Sequence, residues 1–414
     1  MRRMTTTSER VSGPLTRQVS PRVSQSVFDG SRLRVVLLVD VYDGAQQQFL
    51  EAYELLCNQV ASVPGHVSDQ LCQSIENPSQ WLITSEWESA PPFLAWVNSE
   101  EHVRMVEPLH SCVRDTRSLR FHIVRETGSP APNAEPGKRR LQASPRIGDG
   151  LIRHALTFTV KPGSEEKVAK ILADYASPEP KVDDSTRLCR TSLFMHGNRV
   201  VRAIEVRGDL LAALRHVARQ PEVRAVEEAI NPYLEQDRDL DDPESARVFF
   251  TRAALPAVHH VTSAQQDPQE ERHALSYPAR PGCGMRLAEV LARHDEAAAD
   301  DPRSPVLRST IFQRDDIVVR LIDVSGGLAA ADPAAALGLS DPRQAAELTA
   351  FAADASAPQG AAASSRGTTP GPPAEKQVGR DHRGGHDEAK PSELARRLEL
   401  ARMELVTDRR SPDA

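Results

Sequence analysis

The stretch RTSLFMHGNRVVRAIEVRG (residues 190–208) decides the fold. Two runs rich in β-branched and apolar residues flank a Gly-Asn turn, which is the pattern of a β-hairpin. The same hairpin returns as RSTIFQRDDIVVRLIDVSG (residues 308–326), 118 residues further on. Working outward, Arg153-His154-Ala155-Leu156 returns as Arg272-His273-Ala274-Leu275, and Lys161-Pro162-Gly163 as Arg280-Pro281-Gly282. Three matches at spacings of 118–119 residues mean duplication of a unit of roughly 100 residues. In the first copy, residues 154–163 read as a strand running into a turn. SEEKVAKILADYA (residues 164–176) reads as a helix that opens on Ser and two Glu. The hairpin follows, then a helical stretch broken at Pro221, then a closing strand at residues 246–255. This order, β-α-β-β-α-β, is ferredoxin-like. The second copy lacks its last strand after a helix near residues 342–352.

Upstream, LRVVLLVDV (residues 33–41) is a strand, residues 45–62 have helical periodicity, and Pro64-Gly65 stops them. HVSDQLCQSI (residues 66–75) and QWLITSEW (residues 80–87) alternate as strands, residues 92–115 are helical, and LRFHIVRE (residues 119–126) closes the unit. The expected class is therefore α+β, with tandem ferredoxin-like units. Expected boundaries are a disordered terminus to residue 32, a first unit at 33–126, a Pro- and Gly-rich linker at 127–150, a second unit at 151–256 and a degenerate third at 270–352. A disordered Ala/Ser/Gly/Pro stretch at 353–390 and an amphipathic helix at 391–407 complete the chain.

Composition narrows function by exclusion. A net charge of −7 argues against a nucleic-acid binder held by phosphate contacts. No apolar run approaches the roughly 18 residues of a membrane span, and the N-terminus lacks the apolar core of a secretory signal. The five cysteines show no paired spacing, which fits a reduced, cytoplasmic protein. Gly282-Cys283-Gly284 lacks the third glycine of a nucleotide loop. His259 and His260 are adjacent, so a strand sends them to opposite faces and they cannot share a metal.

The first unit resembles the antibiotic-biosynthesis monooxygenase family, through VPGHV (residues 63–67), Trp87-Glu88-Ser89 and Phe93. The second resembles the SchA/CurD-like family of aromatic polyketide and spore-pigment clusters, through residues 193–235 and DDPESARVFF (residues 241–250), and more faintly the tetracenomycin-type cyclases. These resemblances imply a dimeric α+β barrel that acts on an aromatic polyketide intermediate, beside other polyketide synthase tailoring enzymes. They imply cofactor-independent monooxygenation of a phenol to a quinone, with dioxygen as co-substrate and no metal, flavin or haem. A polyketide cyclase, or a non-catalytic protein that binds the intermediate, are the alternatives.

Trp87 is the site candidate of the first unit, on a strand face shared with Trp81 and Ser85 and followed by Phe93. It reads either as a core anchor or as a pocket wall offering its indole N–H. The quinone-forming relatives carry an asparagine where this chain has Ile83 and a tyrosine where it has Phe93. In the second unit Arg202 shares a strand face with Val200, Ile204 and Val206, and Arg320 repeats it. A buried arginine needs an acceptor, either a structural acid or a substrate enolate or phenolate. His196 at the hairpin turn reads as a surface histidine or as the counterpart, shifted by one residue, of a turn histidine in the cyclases. Asp174 and Tyr175 end the first helix where those cyclases carry a His-Asp pair, with only the acid kept and one place displaced. Sheets that are apolar on both faces must be covered. The first and second units are expected to pair within the chain, leaving the third to make a homodimer unless the helix at 391–407 covers it.

Overall fold

The computed structural model describes residues 22–125, 148–265, 267–326, 342–353 and 399–411. The expected disorder at 353–390, most of the linker and the start of the expected C-terminal helix fall outside these residues. The first unit follows the expected order. It comprises β2 (Leu33–Val41), α1 (Gln46–Val60), β3 (His66–Gln73), β4 (Gln80–Trp87), α2 (Ala90–Val97), α3 (Glu100–His110) and β5 (Val113–His122), after a short β1 (Ser24–Ser26). Its four-stranded sheet has the order β3-β4-β2-β5. Odd-numbered positions of β2, from Leu33 to Val41, point at the helices, and the even-numbered ones, among them Leu38 at 43% exposure, form the opposite face.

The second unit comprises β6 (Leu151–Thr159), α4 (Glu165–Asp174), β7 (Arg187–His196), β8 (Arg199–Arg207), α5 (Leu210–Ala218), α6 (Pro221–Ile230), α7 (Pro243–Ala253) and β9 (Ala254–Thr262). The third comprises β10 (Glu271–Pro278), α8 (Gly284–Asp300), β11 (Val306–Arg314), β12 (Ile317–Val324), α9 (Pro342–Phe351) and β13 (Glu404–Arg410). Three expectations are corrected here. Residues 243–253 are helix, because Phe249 and Ala253, one turn apart, bury together in the second unit's core; the closing strand is β9. The third unit does not lose its last strand, which is β13, so Glu404 to Thr407 are strand and not helix. Residues 24–26 are strand, inside the terminus expected to be disordered.

The pairing of units also differs from expectation. The second and third units, not the first and second, share one sheet of order β10-β12-β11-β9-β6-β8-β7-β13. A bridge from Leu275 to Arg402, with the Met403 N–H donating to the Ala274 carbonyl at 2.9 Å, closes it into a barrel. Each unit's last strand starts on its own sheet and finishes on the other's. Residues 254–256 of β9 pair with β6, and residues 257–262 pair with β11. Pro256, which has no N–H to give, sits at that switch. Arg402 bridges to β10, after which β13 pairs with β7.

The barrel interior is apolar at its centre, with Phe194, Val201, Leu255, Phe312 and Leu321. One mouth holds a charge network around Asp323, which is 1% exposed. Arg272 donates to it at 2.6 and 2.8 Å, Arg308 at 2.9 Å and Arg190 at 3.3 and 3.4 Å. Each arginine has a second acid: Glu205 for Arg272, Glu270 for Arg308 and Asp408 for Arg190. Burial alone would raise the Asp323 pKa, but the hydrogen bonds and charge of Arg272, with Arg190 and Arg308, outweigh it and hold the carboxyl far below the usual range.

The first unit packs its helix side toward the third. One core runs from Leu33, Val35, Trp87, Phe93 and Leu94 into Leu287, Leu291, Ile311 and Ile322.

Candidate functional site

Three sheet–helix layers could hold a site, and the structure distinguishes them. In the first unit, Gly65 turns the chain with φ +83°, and a Cβ there would meet Pro92 at 2.7 Å. That close approach sets the start of α2 over the end of β4, where Trp87 is fully buried. Trp87 packs edge-on to Phe93 at 5.4 Å, against Trp96 at 5.4 Å and against His66 at 5.2 Å. Its indole N–H donates to Ser85 Oγ at 2.8 Å. The indole N–H is therefore committed within the protein, and Trp87 acts as a wall of this aromatic cluster. Trp81 lies elsewhere, against Phe49 at 5.3 Å in a separate core.

Trp96, His102 and Arg120, outside the site set expected from the sequence, complete the cluster. Ser99 Oγ accepts the His102 N–H at 3.1 Å and fixes that residue in the first turn of α3. The His102 ring then stands 4.3 Å from Trp96. Burial, helped by the nearby Arg120 charge, pushes its pKa down to about 4, so it is neutral at pH 7. His102 Nδ1 and Trp96 Nε1 are buried with no hydrogen-bond partner among the described residues. Arg120 of β5 holds its guanidinium 5.3 Å from the Phe93 centroid. Arg120 is exposed to solvent along part of its side chain, the protein packed around the rest disfavours its charge, and no acid among the described residues offsets it. Arg120 could have been found from alternation: it is directly opposite Val35, whose side chain points at the helices.

In the second unit Arg202 is committed. Its Nη1 donates to Glu227 Oε1 at 2.7 Å, and Arg238 takes Glu227 Oε2 at 2.8 Å. Burial alone would raise the Glu227 pKa, but the two arginines outweigh it and hold the carboxyl low. Tyr175 lies under the Arg409 guanidinium at 4.3 Å. His196 is remote from Arg202, with Nε2 2.7 Å from the Leu400 carbonyl, where it ties down the approach to β13. Asp174 is exposed at the end of α4. Of the cyclase-like set, Tyr175 lies near enough for its phenol to act on the Arg202 charge, whereas His196 and Asp174 are directed elsewhere. In the third unit Arg320 and Asp295 are both fully buried and paired, and Ser309 Oγ donates to Asp295 at 2.6 Å. His259 and Tyr277 are buried nearby and contribute to the same electrostatic cluster.

The Gly282-Cys283-Gly284 loop gives the Gly282 and Gly284 amides to Asp316 at 3.0 and 3.1 Å, so an acid of the chain occupies the place a phosphate would take. His259 and His260 diverge as expected, and His260 Nδ1 lies 2.9 Å from Thr310 Oγ1, away from the Asp295 cluster that His259 faces. Among the described residues no group of three His, Cys, Asp or Glu could hold a metal ion, and no helix is long and apolar enough to cross a membrane.

Fold and site together define a class: ferredoxin-like α+β units, two closed into a barrel and one carrying an aromatic cluster beside an exposed arginine. The family described as antibiotic biosynthesis monooxygenase matches residues 32–108, and the SchA/CurD like domain matches residues 151–263. "Polyketide synthase CurD" of Streptomyces cyaneus is 66% identical over 330 residues, covering 80% of this chain and 88% of that one. The "42.8 kDa protein in whiE locus" of Streptomyces coelicolor is 63% identical over 337 residues, covering 81% and 83%. "Protein SchA" of Streptomyces halstedii is 62% identical over 331 residues, covering 80% and 87%. The chain belongs to the SchA/CurD-like family. Among solved structures, SnoaB, a cofactor-independent oxygenase from Streptomyces nogalater, aligns at 15% identity and TM-score 0.21, over 26% of this chain and 99% of that one.

Proposed function

We propose that the protein serves aromatic polyketide biosynthesis, for an antibiotic or a spore pigment, and that its first unit oxygenates a phenolic intermediate to a quinone without a cofactor. The pathway rests on the relatives, one of which bears the name polyketide synthase, and the chemistry on the monooxygenase match to the first unit. The observation that carries the reading is Arg120, an exposed cation beside an aromatic cluster, with no acid among the described residues to offset its charge. A flat phenol stacks among Phe93, Trp96 and His102, and its phenolate oxygen pairs with Arg120. The electron-rich ring passes electrons to dioxygen; one oxygen atom stays on the ring carbon and the other leaves as water. Arg120 stabilises the anion from which the electrons depart, and the aromatic rings beside it cover one side of the bound phenol.

The layers around Arg202 and Arg320 are closed by their own acids, so substrate binding there has less support than in the first unit. The test is aerobic against anaerobic incubation with a polyphenolic polyketide intermediate, using wild type and Arg120→Ala. Oxygen-dependent quinone formation that falls about 10–100-fold in Arg120→Ala, as lost charge-assisted hydrogen bonds do, is the expected result. Ring closure without oxygen would make the protein a cyclase. Tight binding without turnover would make it an accessory carrier of the intermediate.

A further inference from the structure

The barrel has two seams that its internal symmetry makes alike, and a third element fills one of them. β9 and β13 correspond closely. Each has a bulge at the same place, opposite Ile311/Phe312 in one case and Leu193/Phe194 in the other. On β9 the outer edge is taken by β1, with Ser24 opposite Val261, Gln25 opposite His260 and Ser26 opposite His259. The Thr262 N–H donates to the Val23 carbonyl, and the Val27 N–H to that of Val258, both at 2.9 Å. The corresponding edge of β13, Val406 to Arg410, meets no strand among the described residues.

Between that edge and the start of β10 lies a groove of about 660 Å³. Phe194, Met403 and Leu405 form its apolar part, and Leu405 is 45% exposed. Its acids outnumber its cations. Arg272 is committed to Asp323 and Glu205, which leaves Glu271, Glu399 and Glu404 facing Arg402. An unpaired strand edge with an acidic wall is complementary to an extended basic segment.

We propose that this groove takes residues 2–7 of the same chain, Arg-Arg-Met-Thr-Thr-Thr, as a strand added to the free edge of β13. Charge, composition and reach select this segment. Residues 1–21 carry four arginines and one glutamate. They are free of proline through residue 13 and β-branched at Thr5 to Thr7, which suits an added strand. Arg2 and Arg3 answer the glutamates, and Met4 answers the apolar floor. Among the other stretches outside the described residues, 126–147 contains Pro130, Pro132, Pro136 and Pro145, 327–341 has no cation, and 354–398 interrupts its basic runs with Gly and Pro. Reach is sufficient. β6 and β10 run the same way around the barrel, so both seams open at one mouth. Arg22, held by Glu296 and Asp300 of α8, delivers the chain to one seam. Four strand spacings of about 4.8 Å separate the seams, about 20 Å, whereas the residues from 7 to 22 span up to about 50 Å.

Hydrogen exchange of the full chain tests the proposal, comparing wild type with the double variant Arg2→Glu, Arg3→Glu and with Glu271→Arg, Glu404→Arg. The Asp408 and Arg410 amides correspond to those of His260 and Thr262, which face β1. They are expected to exchange at least tenfold faster in both variants, and wild-type protection is expected to survive tenfold dilution. Equal exchange in wild type and the tail variant would overturn the proposal, whether both are fast or both are slow. Protection that disappears on dilution would assign the groove to a second copy and overturn it too.

Discussion

Replacing Asp323 with asparagine keeps the shape of the barrel mouth and removes the charge that three arginines share. Breaking a buried ion pair by deleting one partner costs about 3–5 kcal/mol. The lower end applies here, because each arginine keeps a second acid: Arg272 has Glu205 at 2.7 Å, Arg190 has Asp408 at 2.6 and 2.8 Å, and Arg308 has Glu270. About 3 kcal/mol is a large part of a typical stability of 5–15 kcal/mol. It corresponds to a fall in Tm of about 6–12 °C for a barrel of this size. Urea unfolding followed by circular dichroism, read as a shift of midpoint at constant slope, measures it. The pH dependence supplies an independent arm. The native Asp323 carboxyl is held below its unfolded value, so its contribution is complete above about pH 4 and is lost as pH falls through the native value. Asparagine has nothing to protonate, so the gap between wild type and variant should narrow as pH falls below 4. A loss under about 1 kcal/mol at pH 7, or a gap that stays constant into acid, would show that solvent and not Asp323 balances these arginines.

Arg202→Met should lower stability by about 2–3 kcal/mol, because Glu227 keeps only Arg238; the double variant Arg202→Met, Glu227→Met should recover part of that loss in the same unfolding assay. Oxygenation by folded Arg202→Met should stay within about threefold of wild type, as fits a group turned toward Glu227. The full chain should be a dimer by light scattering, and Leu38→Glu, on the uncovered sheet face of the first unit, should make it a monomer without lowering its Tm by more than a few degrees.

Much of this architecture was legible in the sequence, and the misses have physical causes. Alternation in residues 33–41, 80–87 and 199–207 gave strands at those places, because each lies in a sheet interior where one face must be apolar. Residues 246–250 have a strand-like composition yet form a helix, since Arg238 stacks over Phe249 and Phe250 at 4.4 and 5.6 Å and pins that face down. β13 was hidden because it is charged and lies beyond a long stretch of low complexity; its strand character comes from β7, which local pattern cannot reveal. In the first unit, Trp87, Ser85 and Phe93 were visible as one cluster. Arg120 faces the helices by alternation, but its place beside Phe93 depends on how α2 sits over the sheet, and the contact of His102 with Trp96 depends on the turn between α2 and α3, which neither local pattern shows. The acids facing Arg202 and Arg320 come from different helices, Glu227 from α6 and Asp295 from α8, so the repeat could not indicate both.

Which units mate follows from a cross-strand pair that the chain uses three times. Arg153 on β6 stands opposite Glu205 on β8, and Arg272 on β10 opposite Asp323 on β12. When the second and third units close, these pairs meet at one mouth, and Arg272 reaches Glu205 of the other unit. The first unit has the same pair in the same place, Arg34 on β2 opposite Glu86 on β4, with Arg32 also on Glu86. Its inward-equivalent face is uncovered, with Leu38 43% and Phe121 50% exposed. A face that carries both the apolar surface and the complementary charges of a barrel half, but has no mate among the described residues, is matched by an identical half. Two-fold closure with a second first unit would bring two Arg34–Glu86 pairs to one mouth, as the chain already does within itself. The helix side, with Trp87, His102 and Arg120, would stay clear of that contact, so each copy would keep its own aromatic cluster, and loss of the dimer in Leu38→Glu should leave the oxygen-dependent reaction standing.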